Sequence, residues 1–134
     1  LRLPAAAAKV YAFILSEGDK RVLIAPDELH GWEPPDDLGH FDLAILPMGL
    51  CEFDPLTGAR RIPAEHPILG LEATFRQTLE MVRALDADKT IFVHIEEPDQ
   101  QSYDDLMTVQ RELQRQQPDL GKVSFAFDRL SVMP

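Results

Sequence analysis

An α/β fold is predicted from three observations. Short β-branched and aromatic runs alternate along the chain with two segments of helical periodicity. One of the runs, Phe41–Leu46 (FDLAIL), is nearly continuous in apolar character, as a strand buried on both faces must be. The 134 residues are 45% apolar and 27% charged, so the chain can bury enough apolar surface to offset the entropy of ordering.

The elements follow in order. Val10–Leu15 (VYAFIL) and Arg21–Ala25 (RVLIA) are strand-like runs separated by the turn Ser16-Glu17-Gly18-Asp19, which predicts a β-hairpin. Pro26 ends the second run, because it lacks a backbone donor and restrains the residue before it. Asp27–His40 is a loop rich in Pro, Gly and acids, and Phe41–Leu46 is the third strand. Pro47-Met48-Gly49 breaks that strand. The long segment Leu50–Pro67 carries four prolines or glycines and no strong periodicity, which points to a functional loop.

Leu71–Leu85 is predicted to be a helix, with Leu71, Phe75, Leu79, Val82 and Leu85 on one apolar stripe. Thr90–His94 (TIFVH) is the fourth strand. Ser102 starts a second helix, with Asp105 as its capping-box partner and Leu106, Val109 and Leu113 as its apolar stripe. Pro118 and Gly121 close it. Val123–Phe127 (VSFAF) is a fifth strand, and Leu130–Met133 is read as a short sixth. No repeat or linker divides the chain.

Composition excludes several function classes. The formal net charge of −10 argues against a broad nucleic-acid-binding surface, which needs an excess of Lys and Arg. No run approaches the ~18 apolar residues of a membrane span. Cys51 is the single cysteine, so neither an intramolecular disulfide framework nor a multi-cysteine metal cage is possible. A reducing, cytoplasmic setting fits this cysteine usage. Leu1–Ala8 (LRLPAAAA) has some signal-peptide character, but Pro4 and Lys9 interrupt it, and no function is placed on Ala5–Ala8.

Two titratable residues stand just beyond strand ends, where a rigid element meets an open loop. Asp27 follows RVLIAP and His94 ends TIFVH. Carboxylate oxygen and imidazole nitrogen suit Zn²⁺, Mn²⁺ or Fe. The same residues also serve as turn, cap or hydrogen-bonding groups, and spacing does not decide between these uses. His66, His30 and Trp32 lie in loops, His40 precedes a strand, and Glu96 and Glu97 follow His94. For each of these a solvated or packing role competes with a role in a site. Cys51 lies in no Cys-His pattern and reads as packing, and the acids of Glu33–Asp37 read as a solvated loop. Phosphate-cradling glycine motifs are absent from the sequence.

Ordered motifs along nearly the whole chain resemble the C-terminal half of the metallo-β-lactamase-fold hydrolases. YAFILSEGDKRVLIAPDE resembles the paired strands that end in that family's Asp motif, and FDLAILPMG resembles the next strand and turn. GLEATFRQTLEMVRALDADKTIFVHIEE resembles the helix and strand that lead to the final His. VSFAFDRLSV resembles the closing strands, with Asp128-Arg129-Leu130 where the family often has A-x-D-G-M. The resemblance implies that residues 1–134 form half of an αββα four-layer sandwich, a mixed sheet with two helices on one face. It implies that Asp27 is a carboxylate bridging two divalent ions (Zn²⁺ or Mn²⁺), that His94 is the last His ligand, and that His66 contacts substrate or protonates a leaving group. A metal-held hydroxide would then cleave a small phosphodiester or other ester-like substrate.

The family's H-x-H-x-D-H signature has no counterpart in this sequence, and no His precedes the first hairpin strand. Two ligands do not hold a catalytic metal tightly. The expectation is a C-terminal portion that lacks the N-terminal metal-ligand half and is inactive alone, with no metal of its own. The uncovered sheet face would meet that missing half or a second copy in a homo-oligomer. The other reading is a non-catalytic binding or assembly module that retains the half-fold. A third is a self-contained doubly wound α/β domain with a ligand at its strand ends.

Overall fold

The computed structural model of the chain describes residues 2–3, 9–95 and 101–133. Ala5–Ala8, Glu96 and Glu97 lie outside the described residues. The fold is α/β, built on a five-stranded mixed sheet with two helices. Strands β1 (Arg2–Leu3) and β2 (Val10–Tyr11) pair as a small antiparallel sheet. The main sheet runs in the order β3 (Phe13–Glu17), β4 (Lys20–Ile24), β5 (Leu43–Pro47), β6 (Lys89–Val93) and β7 (Lys122–Phe125). β3 is antiparallel to β4, and the other neighbours are parallel.

The predicted first strand is therefore two short strands, interrupted at Ala12. The β3–β4 turn is tighter than the sequence suggested. Glu17 pairs with Lys20, leaving Gly18 and Asp19 as a two-residue loop, and Gly18 takes the positive φ of 59° that such a hairpin needs.

Helix α1 (Phe75–Ala84) joins β5 to β6, and α2 (Tyr103–Gln116) lies between β6 and β7. α1 begins four residues later than its apolar stripe suggests. Thr74 and Gln77 form a capping box there, and Leu71 stays outside the helix, half exposed. α2 begins as expected, with Ser102 and Asp105 capping reciprocally. No strand forms at Leu130–Met133. The chain turns at Arg129 (φ 67°), and the Lys89 ammonium donates to the Met133 carbonyl at 2.8 Å.

Side-chain alternation gives the sheet two unlike faces. The register sets Leu23, Ala44, Thr90 and Val123 in one row and Leu46, Phe92 and Phe125 in the next on the same face. All seven are buried. Both helices pack on this face: Phe75 meets Phe92 edge-on at 5.5 Å, and Leu79, Val82, Leu106, Val109 and Leu113 join the same core. Phe13, Leu15, Val22, Ile24, Leu43, Ile45 and Ile91 alternate to the opposite face. There Leu43 and Ile91 are buried, whereas Phe13 and Leu15 are 57% and 56% exposed. Cys51 and Trp32 are buried in the helix-side core, as their packing readings expect.

Candidate site at the carboxyl ends of the parallel strands

The parallel strands β4, β5 and β6 all release their chains at one edge of the sheet, where open α/β sheets place their ligands. Each exit is held by a continued ladder. The Ala25 amide donates to Ile45 O and the Met48 amide to Val93 O, both at 2.8 Å. Beyond these bonds the three chains diverge around a cavity of about 260 Å³. Asp27 and Glu28 enter it from β4, Pro47 and Gly49 from β5, His94 from β6, and Glu72 and Ala73 from the segment before α1. The structure thus brings Asp27 and His94 into one cavity.

His94 is held by its backbone and its ring. Its φ is 52°, a left-handed conformation that few residues with a Cβ adopt. Its Nδ1 lies 3.3 Å from the Pro26 carbonyl oxygen. In the tautomer that donates this bond, Nε2 carries the lone pair, the arrangement found in metal-binding histidines. Asp27 is exposed, and among the described residues no hydrogen bond or ion pair holds its carboxylate. Its position is set by its neighbours. Leu29 is fully buried, and the Trp32 amide donates to Leu29 O at 2.9 Å.

Glu28 and Gly49 complete the walls. Glu28 Oε1 accepts from the Ala73 amide at 2.8 Å and from the His30 amide. Gly49 has φ 80°, and a Cβ there would stand 2.7 Å from the Ala73 carbonyl oxygen. Only glycine lets the β5 exit approach the α1 entrance this closely.

Sequence reasoning passed over Glu28 and Glu72. Glu72 falls inside the predicted helix Leu71–Leu85, whereas the helix starts at Phe75. The Thr74-x-x-Gln77 capping box was the signal that places it in the loop ahead of the helix. Glu28 carried no such signal, because its partner Ala73 is 45 residues away.

His66 is placed elsewhere. It is an exposed N-cap of the 3₁₀ turn Pro67–Gly70, with Nδ1 accepting from the Ile68 amide at 3.3 Å. It does not line the cavity that holds Asp27 and His94. A larger cavity of about 700 Å³ opens between residues 50–58 and the two helices. Its floor is apolar (Leu50, Phe75, Leu79, Val109, Leu113), and the acids at its rim are engaged. Glu52 pairs with Arg60, Asp54 with Arg61 and Glu112 with Arg115. Asp54 also accepts the Thr57 and Leu56 amides, and these bonds with Arg61 hold its pKa down at about 2. That cavity is the larger, but its titratable groups are committed to loop and helix structure. The smaller one presents an unengaged carboxylate and an oriented imidazole.

The donor set falls short of a whole metal site. Among the described residues no group of three or more His, Cys, Asp and Glu is arranged to hold a metal ion. Asp27 and His94 are suitable donors, Glu28 is tied to two amides, and a catalytic transition-metal site takes at least three protein ligands. No family model, no curated protein and no solved structure matches this chain.

Proposed function

We propose that this chain is the C-terminal portion of a metal-dependent hydrolase acting on a phosphodiester or other ester-like substrate, inactive by itself. The supporting observation is the meeting of Asp27 and His94 at one cavity where three parallel strands end. They lie 67 positions apart in sequence, yet His94 Nδ1 reaches the carbonyl of Pro26, the residue directly before Asp27. In this reading Asp27 offers a carboxylate that can bridge two Zn²⁺ or Mn²⁺ ions, and His94 offers an imidazole nitrogen. The remaining donors come from polypeptide outside this sequence, on a second layer that makes the αββα sandwich. When bound, such ions supply a water nucleophile at neutral pH. Among the described residues no helix is long and apolar enough to cross a membrane. The single cysteine of the sequence fits a reducing compartment, and on that ground we place the hydrolase in the cytoplasm.

The test is metal analysis of the natural product that carries this sequence, purified without chelators, with hydrolysis of a chromogenic phosphodiester as the second readout. Stoichiometric zinc or manganese is expected, lost with activity in Asp27→Ala and His94→Ala. Only trace metal, unchanged by Asp27→Ala, would sink the assignment.

The exposure of Phe13 and Leu15 on the second sheet face favours one other reading, a non-catalytic assembly module in which these two side chains meet a missing half or a second copy. In that case Asp27→Ala leaves metal content and assembly alike unchanged, and substitution of Phe13 alters assembly.

A further inference from the structure

Glu28 spans the candidate site with one carboxylate oxygen. It accepts from the His30 amide on its own loop and from the Ala73 amide in the segment that enters α1. The second bond joins residues 45 apart in sequence, and each end adjoins a residue that lines the cavity, Asp27 on one side and Glu72 on the other. The Ala73 carbonyl is engaged from the opposite direction by the Leu50 amide at 2.9 Å, beside Gly49. Ala73 is therefore a junction where the β4 exit, the β5 exit and the α1 entrance meet. Asp27 has no such tie of its own among the described residues, and it follows wherever the Glu28 backbone is held.

We infer that Glu28 is a positioning residue: its carboxylate clips the loop bearing Asp27 to the α1 entrance and thereby sets where the Asp27 carboxylate stands relative to His94. The bond to Ala73 is charge-assisted and half buried, which makes it stronger than a neutral surface contact. The inference rests on the reading of Asp27 and His94 as donors only for its functional consequence. The clip itself is a property of the metal-free chain.

The conservative replacement separates the bridge from simple packing or charge. Glu28→Gln keeps an acceptor oxygen at the same reach, and Glu28→Ala removes it. Amide hydrogen exchange of the metal-free chain, followed residue by residue by NMR, is the first readout. In Glu28→Ala the Ala73 and His30 amides are expected to exchange about tenfold faster or more, while Ile45 and Phe92 in the sheet keep their protection. In Glu28→Gln protection of Ala73 is expected to return to within about threefold of the parent.

The second readout is titration with Mn²⁺ alone. In the parent chain the Asp27 and His94 resonances are expected to broaden together. In Glu28→Ala a higher Mn²⁺ concentration should be needed for the same broadening, and in Glu28→Gln the parent concentration should suffice. Unchanged exchange at Ala73 in Glu28→Ala overturns the inference, as does a Gln variant that behaves like the Ala variant. Mn²⁺ broadening centred elsewhere on the parent chain counts against the donor reading, and the exchange data still decide the clip.

Discussion

A histidine at φ 52° costs on the order of 1 kcal/mol relative to a glycine in the same conformation, because the Cβ crowds the backbone. That the strained position is also the imidazole at the end of β6 is what makes it informative. The strain can be measured apart from the ring. His94→Gly and His94→Ala both remove the side-chain bond to Pro26, and they differ only in the Cβ. Urea denaturation should find His94→Gly more stable than His94→Ala by about 1 kcal/mol. Equal stability would mean that the backbone relaxes and stores nothing. Gly49 presents the opposite case. Its Cβ would collide with backbone at 2.7 Å and its φ is 80°, so neither a rotamer change nor a small shift relieves the contact. Gly49→Ala should cost about 2–3 kcal/mol by the same method. It should also disturb the cavity, since the Leu50–Ala73 bond lies beside it.

At the scale of elements, the entry to β5 is tied to the turn after α1 by charge. Phe41 exchanges backbone bonds with Asp86 and Asp88, at 2.8 and 3.0 Å, and the His40 ring sits beside the Asp86 and Asp88 carboxylates. Its hydrogen bond with Asp86, helped by the charge of Asp88, raises the His40 pKa. A group whose pKa is raised on folding stabilises the fold fully below its unfolded value and loses that contribution as pH rises through the folded one. The stability difference between the parent and His40→Asn should therefore be largest below the ordinary value of 6.5 and shrink at higher pH. Denaturation of the two proteins at matched pH values isolates this from the other acids. A difference that does not vary with pH would show that the pair has no titrating role.

Legibility in the sequence divides along the same line between local and distant partners. Capping boxes, the β3–β4 hairpin and the helical stripes rest on residues within about four positions of one another. Ser102 with Asp105 was readable for that reason, and Thr74 with Gln77 was readable though overlooked. The split at Ala12, the missing strand at Leu130–Met133 and the Glu28–Ala73 bond are set by which distant segment arrives beside them. Asp27 and His94 could be nominated because each ends an apolar run. That they share a cavity required the parallel pairing of β4, β5 and β6.

On the scale of the whole molecule, the sheet is asymmetric in how it treats apolar side chains. One face buries Leu46, Phe92 and Phe125 beneath two helices, and the other leaves Phe13 and Leu15 more than half exposed on the edge strand β3. Side chains that gain little burial contribute little to folding, so selection for stability of this unit alone does not account for them. Their exposure yields a prediction that separates the two faces. Replacing both Phe13 and Leu15 by Lys should change unfolding free energy by no more than about 0.5 kcal/mol, the usual range for surface substitutions. Binding of a hydrophobic dye such as ANS should fall at the same time, because two exposed apolar side chains give way to charged ones. Replacing Phe92 by Ala on the helix side should cost about 3–5 kcal/mol. If the double Lys variant is destabilised by a comparable amount, these two side chains are covered within the chain itself, and the second face needs no partner. If stability holds while dye binding drops, the face is surplus to the fold of these residues and is open to whatever completes the layer above it.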